Sequence, residues 1–271
     1  MRATWGKIVA TRFWRGFLAW ERPSRVAFLI ALFLLILVAL SLAFGPDHLR
    51  RPALIGFFGL LVVAQAIFMW ANRHMVTPYT RAQRLYLTED FEAACQLLES
   101  LRQAGKADVR ALTLLGNAYR QRNLLYESET VLREALAIQP NHYFSLYGFG
   151  RTLLVQGRYA EATDMLRQAL NTGASAAITF DAGEACYRSG AQESAQRLVE
   201  AALQEGVEPH RHLMGQFLLY RMGAGSVPEP ALIDSGIGYW LAQAERYQQT
   251  PYGQALFDDV RLLQEIVEEA D

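Results

Sequence analysis

Apolar residues follow two different patterns along this chain. From Val26 to Phe44 they run unbroken except at Ser41, and from Ala53 to Ala71 the only strongly polar residue is Gln65. Further on they recur at three- and four-residue steps with polar residues between, which is the spacing of helices that bury one face. At about 1.5 Å per residue, each unbroken run reaches roughly 28 Å as a helix, close to the roughly 30 Å hydrocarbon core of a bilayer. The pattern predicts an all-α protein: a two-helix transmembrane hairpin, with spans at 26–44 and 53–71, followed by packed amphipathic helices. A cleaved secretory signal fits the first run less well. The run is longer than the usual apolar region of about 7 to 15 residues, and a second span follows almost at once.

Ahead of the first span, residues 1–25 form an arm in which Trp5, Ile8, Val9, Phe13, Phe17 and Trp20 recur at helical steps, with Lys7, Arg15 and Arg22 off that face. Such a segment suits the headgroup layer, where indoles sit well and basic side chains meet anionic lipid. Trp5, Phe13, Phe17 and Trp20 are therefore the candidate membrane-interface residues. A plain basic flank with incidental aromatics, or an arm packed on another membrane subunit, would give the same pattern.

Beyond the second span the chain repeats itself. Leu112, Leu115, Gly116 and Tyr119 fall at the spacing L-x-x-L-G-x-x-Y, followed by Ser128, Leu132, Ala135 and Pro140. A unit starting at Val109 is succeeded by one at Tyr143, with Leu146, Phe149, Gly150, Ala162 and Leu166, and by one near Ala176, with Ala182, Gly183, Ala195 and Val199. A weaker unit starts near Met75 and carries Phe91, Ala94 and Leu98, so the starts are 34, 34 and 33 residues apart. Gly116, Gly150 and Gly183 would allow close approach of two helices, with Ser128, Ala162 and Ala195 as small partners.

This pattern resembles the tetratricopeptide repeat family, whose 34-residue helix-turn-helix units stack into a superhelix. The resemblance covers residues 72–222 as about four repeats plus a half repeat ending at Gly223. Residues 223–271 then read as a loop and two C-terminal capping helices, the second with a stripe of Leu256, Val260, Leu263 and Val267 and an acidic outer face. Thr77-Pro78 and Thr250-Pro251 are helix-start signals, a capping hydroxyl followed by a proline suited to the first turn.

The resemblance further implies a concave groove lined by the first helix of each unit. Carried onto this chain, the groove positions are Arg110, Asn117 and Arg120, then Tyr147 and Arg151, then Phe180, Asp181, Glu184 and Arg188. Some members grip a chaperone's terminal carboxylate with Lys and Asn at set positions. Asn117 matches one of these, but Thr113 stands where Lys is expected and Gly148 where the next Asn is expected. The arginines suit an acidic segment instead.

Charge refines the membrane reading. Residues 1–25 carry a net +5 and residues 72–271 a net −7, with Arg73, Arg81 and Arg84 following the second span. Basic residues are held on the cytoplasmic side, so both termini are expected there, although the loop between the spans holds Arg50 and Arg51. A net-negative soluble part argues against nucleic acid. Cys95 and Cys186 stand alone without metal-ligand spacing, His210 and His212 are two apart where a helical zinc pair needs four, and the glycines of residues 147–157 lack a nucleotide-loop pattern.

No cofactor, metal or catalytic constellation is expected, so the sequence reads as a non-enzyme. It predicts a membrane-anchored scaffold or adaptor that binds a partner protein or helps assemble a membrane complex. The alternative is a permanent accessory subunit held through the arm and the hairpin, where Gly56, Gly59, Ala64 and Gln65 offer helix contacts.

Overall fold

A computed structural model of the protein describes residues 22–72, 77–173 and 175–270; these form thirteen α-helices, a short 3-10 turn and no strand. The chain divides after Thr77 into two compact units.

The first unit is a hairpin of α1 (Arg22–Phe44) and α2 (Arg50–Asn72), joined across the 3-10 turn at Asp47–Leu49. Both helices are long and apolar enough to cross a membrane. Ala31 and Leu35 are buried between them, whereas Phe33, Ile55, Phe58 and Val62 are each more than 60% exposed. A helix pair that is apolar all round is suited to lipid rather than water. The candidate interface residues Trp5, Phe13, Phe17 and Trp20 lie outside the described residues.

The second unit contains α3 (Pro78–Leu87), α4 (Phe91–Gln103), α5 (Val109–Gln121), α6 (Leu125–Ile138), α7 (Tyr143–Val155), α8 (Tyr159–Thr172), α9 (Ala176–Arg188), α10 (Gln192–Glu205), α11 (Pro209–Arg221), α12 (Pro230–Arg246) and α13 (Pro251–Ala270). Local chemistry sets many of the starts. Asp90, Asp108 and Ser175 cap α4, α5 and α9 by accepting backbone N–H groups of the first turn, and prolines open α3, α11, α12 and α13. At α13 the Thr250 hydroxyl oxygen accepts the Gly253 N–H at 3.1 Å.

The repeat is visible in the backbone. Glu89, Asn123, Gly157, Gly190 and Gly223 each follow the first helix of a unit with φ between 59° and 83°, at spacings of 34, 34, 33 and 33 residues. Each tight turn needs one left-handed residue, which glycine adopts without strain.

Between the two helices of a unit the glycines do what their spacing suggested, against a different partner. A Cβ at Gly116 would come within 2.5 Å of Leu132 Cγ, at Gly150 within 2.6 Å of Leu166 Cγ, and at Gly183 within 2.8 Å of Val199 Cγ2. The facing residue is thus the large apolar side chain one turn beyond Ser128, Ala162 and Ala195, which are themselves fully buried. Ser128 adds a polar tie, donating from Oγ to the Gly116 carbonyl at 2.8 Å. Leu115, Leu132 and Leu166 are completely buried, and each contributes roughly 1.5–3 kcal/mol.

The C-terminal helices do more than close the end of the stack. Beyond packing on α11 and on each other, α12 and α13 turn back against the first helices of earlier units. Pro251 lies on Gly157 at the end of α7, Trp240 packs 6.4 Å from Phe180 of α9, and Arg246 donates to Gln121 at the end of α5. Trp240, Tyr247, Tyr252, Leu256, Val260 and Leu263 join Phe180, Leu153 and Leu213 in one continuous core.

Candidate functional site

The first helices α3, α5, α7 and α9 supply one concave face, and the chain treats its two ends differently. At the far end, helices α11 to α13 bring their own charges to it. Asp181 of α9 receives Arg151 Nη1 of α7 at 3.0 Å and Arg211 Nε of α11 at 3.5 Å, and the Tyr147 hydroxyl donates to it at 2.5 Å. Next to it, Arg188 reaches Glu184 at 3.0 Å and Asp259 of α13 at 2.9 Å. The Tyr252 hydroxyl donates to Glu184 Oε2 at 3.2 Å, and Arg188 lies over the Tyr252 ring. Trp240 Nε1 donates to the His210 carbonyl at 2.6 Å. Three guanidinium groups thus meet three carboxylates.

Buried ions persist where they are paired and hydrogen-bonded. Burial acts to lower the pKa of Arg151 and Arg188, but Asp181 on one and Glu184 with Asp259 on the other more than reverse it, so both lie above the ordinary arginine value. Burial lifts the Tyr147 and Tyr252 hydroxyls and, against the pull of Arg188, the Asp259 carboxyl. Every group here is matched within the chain.

That placement corrects the expectation of an open groove across all units. Phe180, Asp181 and Glu184 have no exposure, Arg151 and Arg188 almost none, and Tyr147 is half-buried. They do converge on the concave face, but their partners are the chain's own Trp240, Arg211, Tyr252 and Asp259.

The near end stays open. A cleft of about 370 Å³ is lined by Tyr79 and Gln83 of α3, by Arg110, Thr113, Leu114 and Asn117 of α5, and by His142 and Phe144 at the start of α7. The Arg110 guanidinium sits 5.3 Å from the Tyr79 ring centroid, a cation–π placement. Phe144 is half exposed and rests against Tyr143. Thr113 Oγ1 and Ser145 Oγ lie 2.6 Å apart, and Ser145 also meets His142 Nδ1 at 2.7 Å, which ties α5 to α7. Burial lowers the His142 pKa against the opposing pull of Asp108.

Two polar groups of α5 are left without a hydrogen bond: Asn117 Oδ1, seated over Gly148, and Arg120 Nε. Arg120 is only 7% exposed, and no described carboxylate lies within ion-pair distance of it.

Of the residues expected from the repeat, the structure therefore gathers Arg110 and Asn117 at the open cleft and buries Arg120 nearby on the same helix. Tyr79, Gln83 and Phe144 were missed, although they stand at the fifth and ninth positions of the first unit and the second position of the third. Cys95 and Cys186 are buried thiols, and burial raises the Cys95 pKa. His210 stacks on Tyr239, with centroids 3.8 Å apart.

No family model and no curated protein matches this chain. Among solved structures, a thermophilic tetratricopeptide repeat protein from Thermus thermophilus is 16% identical, with a TM-score of 0.50 covering 69% of this chain and 97% of that one. A tetratricopeptide repeat protein from Parabacteroides merdae is 14% identical, with a TM-score of 0.49 over 82% of this chain and 94% of that one. MamA from Desulfovibrio magneticus is 19% identical, with a TM-score of 0.48 over 69% and 93%. The Thermus likeness, with the 34-residue backbone period, shows a tetratricopeptide-like superhelical fold.

Proposed function

We propose that this protein is a membrane-anchored tetratricopeptide scaffold that binds a segment of a partner protein in the cleft between α3, α5 and α7. One observation carries the reading. The far end of the concave face is filled by the chain's own helices, while the near end keeps an open cleft that combines rings, a guanidinium and an unpaired amide oxygen. Clefts of this size with few polar groups are ordinary binding sites. The hairpin supplies the anchor, and the basic residues before α1 and after α2 favour cytoplasmic termini. No chemical reaction is part of this reading.

The test is affinity capture with the full chain in mild detergent. Wild type is expected to retain a partner that the double variant Arg110→Ala, Asn117→Ala releases; equal retention by both would sink the cleft as the binding site. A second reading, a permanent accessory subunit held through the hairpin, is favoured by Gly56 and Gly59, around which α2 has open space. If that reading holds, deletion of residues 1–71 abolishes capture and the cleft variant leaves it intact.

A further inference from the structure

The concave face holds four deeply buried guanidinium groups, and three of them are accounted for. Arg151 and Arg211 share Asp181, and Arg188 has Glu184 and Asp259. The fourth, Arg120, is 7% exposed, its Nε has no acceptor, and no described carboxylate or ring lies against it. The helices around it offer no counter-ion. Among them α3, α5 and α7 contain Arg81, Arg84, Arg110, Arg120 and Arg151 and not one Asp or Glu. The chain segment nearest by sequence contact adds another cation, since Arg246 of α12 bonds the adjacent Gln121.

An arginine cannot shed its proton at physiological pH, so burial without a partner leaves a real charge in a poorly solvated place. Such a charge is costly until something supplies the anion. On the same side of α5, one turn before it, Asn117 presents the unpaired Oδ1, and Arg110 and Thr113 extend the same stripe toward the cleft.

Resting on the reading of the cleft as a partner site, we infer that the partner segment is an acidic peptide whose side-chain carboxylate pairs with Arg120. A backbone N–H of the same segment donates to Asn117 Oδ1, and an aromatic or aliphatic side chain lies between Tyr79 and Phe144. Asn117 and Arg120 are separated by roughly 4.5 Å along the helix axis, which one or two extended residues span. The acidic residue therefore sits one or two positions from the residue held by Asn117. Charge-assisted pairing of this kind supplies both affinity and selection against the uncharged amide.

The test uses the full chain in mild detergent and two fluorescein-labelled decapeptide pools, each with one fixed Phe and, two residues on, either Glu or Gln. Saturable binding is expected with a preference for the Glu pool of roughly ten- to a hundredfold. Arg120→Met should erase that preference and, because it removes an unpaired buried cation, raise the melting temperature by about 2–4 °C. Arg120→Gln covers the case in which R120M does not fold, and should lose the same preference.

Equal binding of the two pools, or a preference that survives both variants, overturns the acidic partner while leaving the cleft as a protein site. A lower melting temperature for R120M does the same, because it means Arg120 is already satisfied within the chain. If inorganic phosphate stabilises wild type but not R120M and neither pool binds, the site takes a small anion and the inference also falls. The cleft reading falls separately, if the Arg110, Asn117 double variant captures as much partner as wild type.

Discussion

Arg151 and Arg120 stand on neighbouring first helices of one stack, are buried to nearly the same degree, and meet opposite circumstances. Arg151 has Asp181 at 3.0 Å, with Tyr147 and Arg211 completing the cluster. Arg120 has no described carboxylate in reach. The difference separates a region finished by the chain itself from one left for something else to finish. Where α12 and α13 lie on the concave face, its charges are structural, and their removal should cost folding free energy. Where those helices do not reach, the same residue types are free to act on a partner, and their removal should cost binding and little stability.

The largest effect expected from that contrast is at Trp240, which is fully buried against Phe180 and donates to the His210 carbonyl. Trp240→Ala should destabilise the second unit by about 3–5 kcal/mol in chemical denaturation, through the cavity and the lost hydrogen bond. A loss below about 1 kcal/mol would mean that α12 is only loosely held and that the far groove is available after all.

Asp181→Asn comes next. It leaves two buried guanidinium groups without their shared carboxylate, and breaking such a pair costs about 3 kcal/mol. Adding Arg151→Met to that variant should recover part of the loss, because the stranded charge goes with it. If the double variant is as unstable as the sum of the single ones, the cluster does not work as a charge-balanced unit.

These two residues also mark where sequence reasoning stopped. The repeat boundaries were legible because each unit obeys a local rule: α5, α7 and α9 begin at Val109, Tyr143 and Ala176, where the period placed them. The groove assignment used the same local rule and could not see that a non-repeating segment would occupy the face. Arg188 and Asp259 are 71 residues apart, and no periodicity links them. The signal that was available lay in the C-terminal helices themselves. Trp240, Tyr247 and Tyr252 carry more apolar surface than an end cap with a polar outer face can bury, and side chains of that size need a core. Similarly, Phe144 follows its helix start too closely to stand out as a site residue until its neighbours Tyr79 and Arg110 are known.

A smaller effect belongs to the outer helices, which neither half of the groove uses directly. Burial tends to raise the Glu129 carboxyl, but hydrogen bonds from Arg133, Arg158 and Gln156 prevail and hold it at about 2. A carboxyl depressed in the folded state contributes stability that is fully present above its ordinary value near 4.5 and is lost as pH falls from there toward about 2. The loss should be about 1–2 kcal/mol, less than the full shift implies because Arg133 is largely exposed. Denaturation series on wild type and Glu129→Gln should converge as pH falls through that window; parallel curves would mean that the ties from Glu129 to the next unit add nothing.

The smallest change in stability, and the sharpest use of the contrast, is expected at Phe144. Half of its surface is exposed at the rim of the cleft, so Phe144→Ala should alter folding by no more than about 0.5 kcal/mol. Phe180 is the same residue type on the same face in the closed half, and there Phe180→Ala should cost about 3–5 kcal/mol. Capture of a partner in detergent should respond in the opposite order: F144A releases it from a protein that melts normally, because an aromatic ring at a cleft rim anchors binding more than folding. If F144A keeps the partner while F180A, where folded, loses it, the binding surface lies in the half closed by α12 and α13 and those helices must move to admit it.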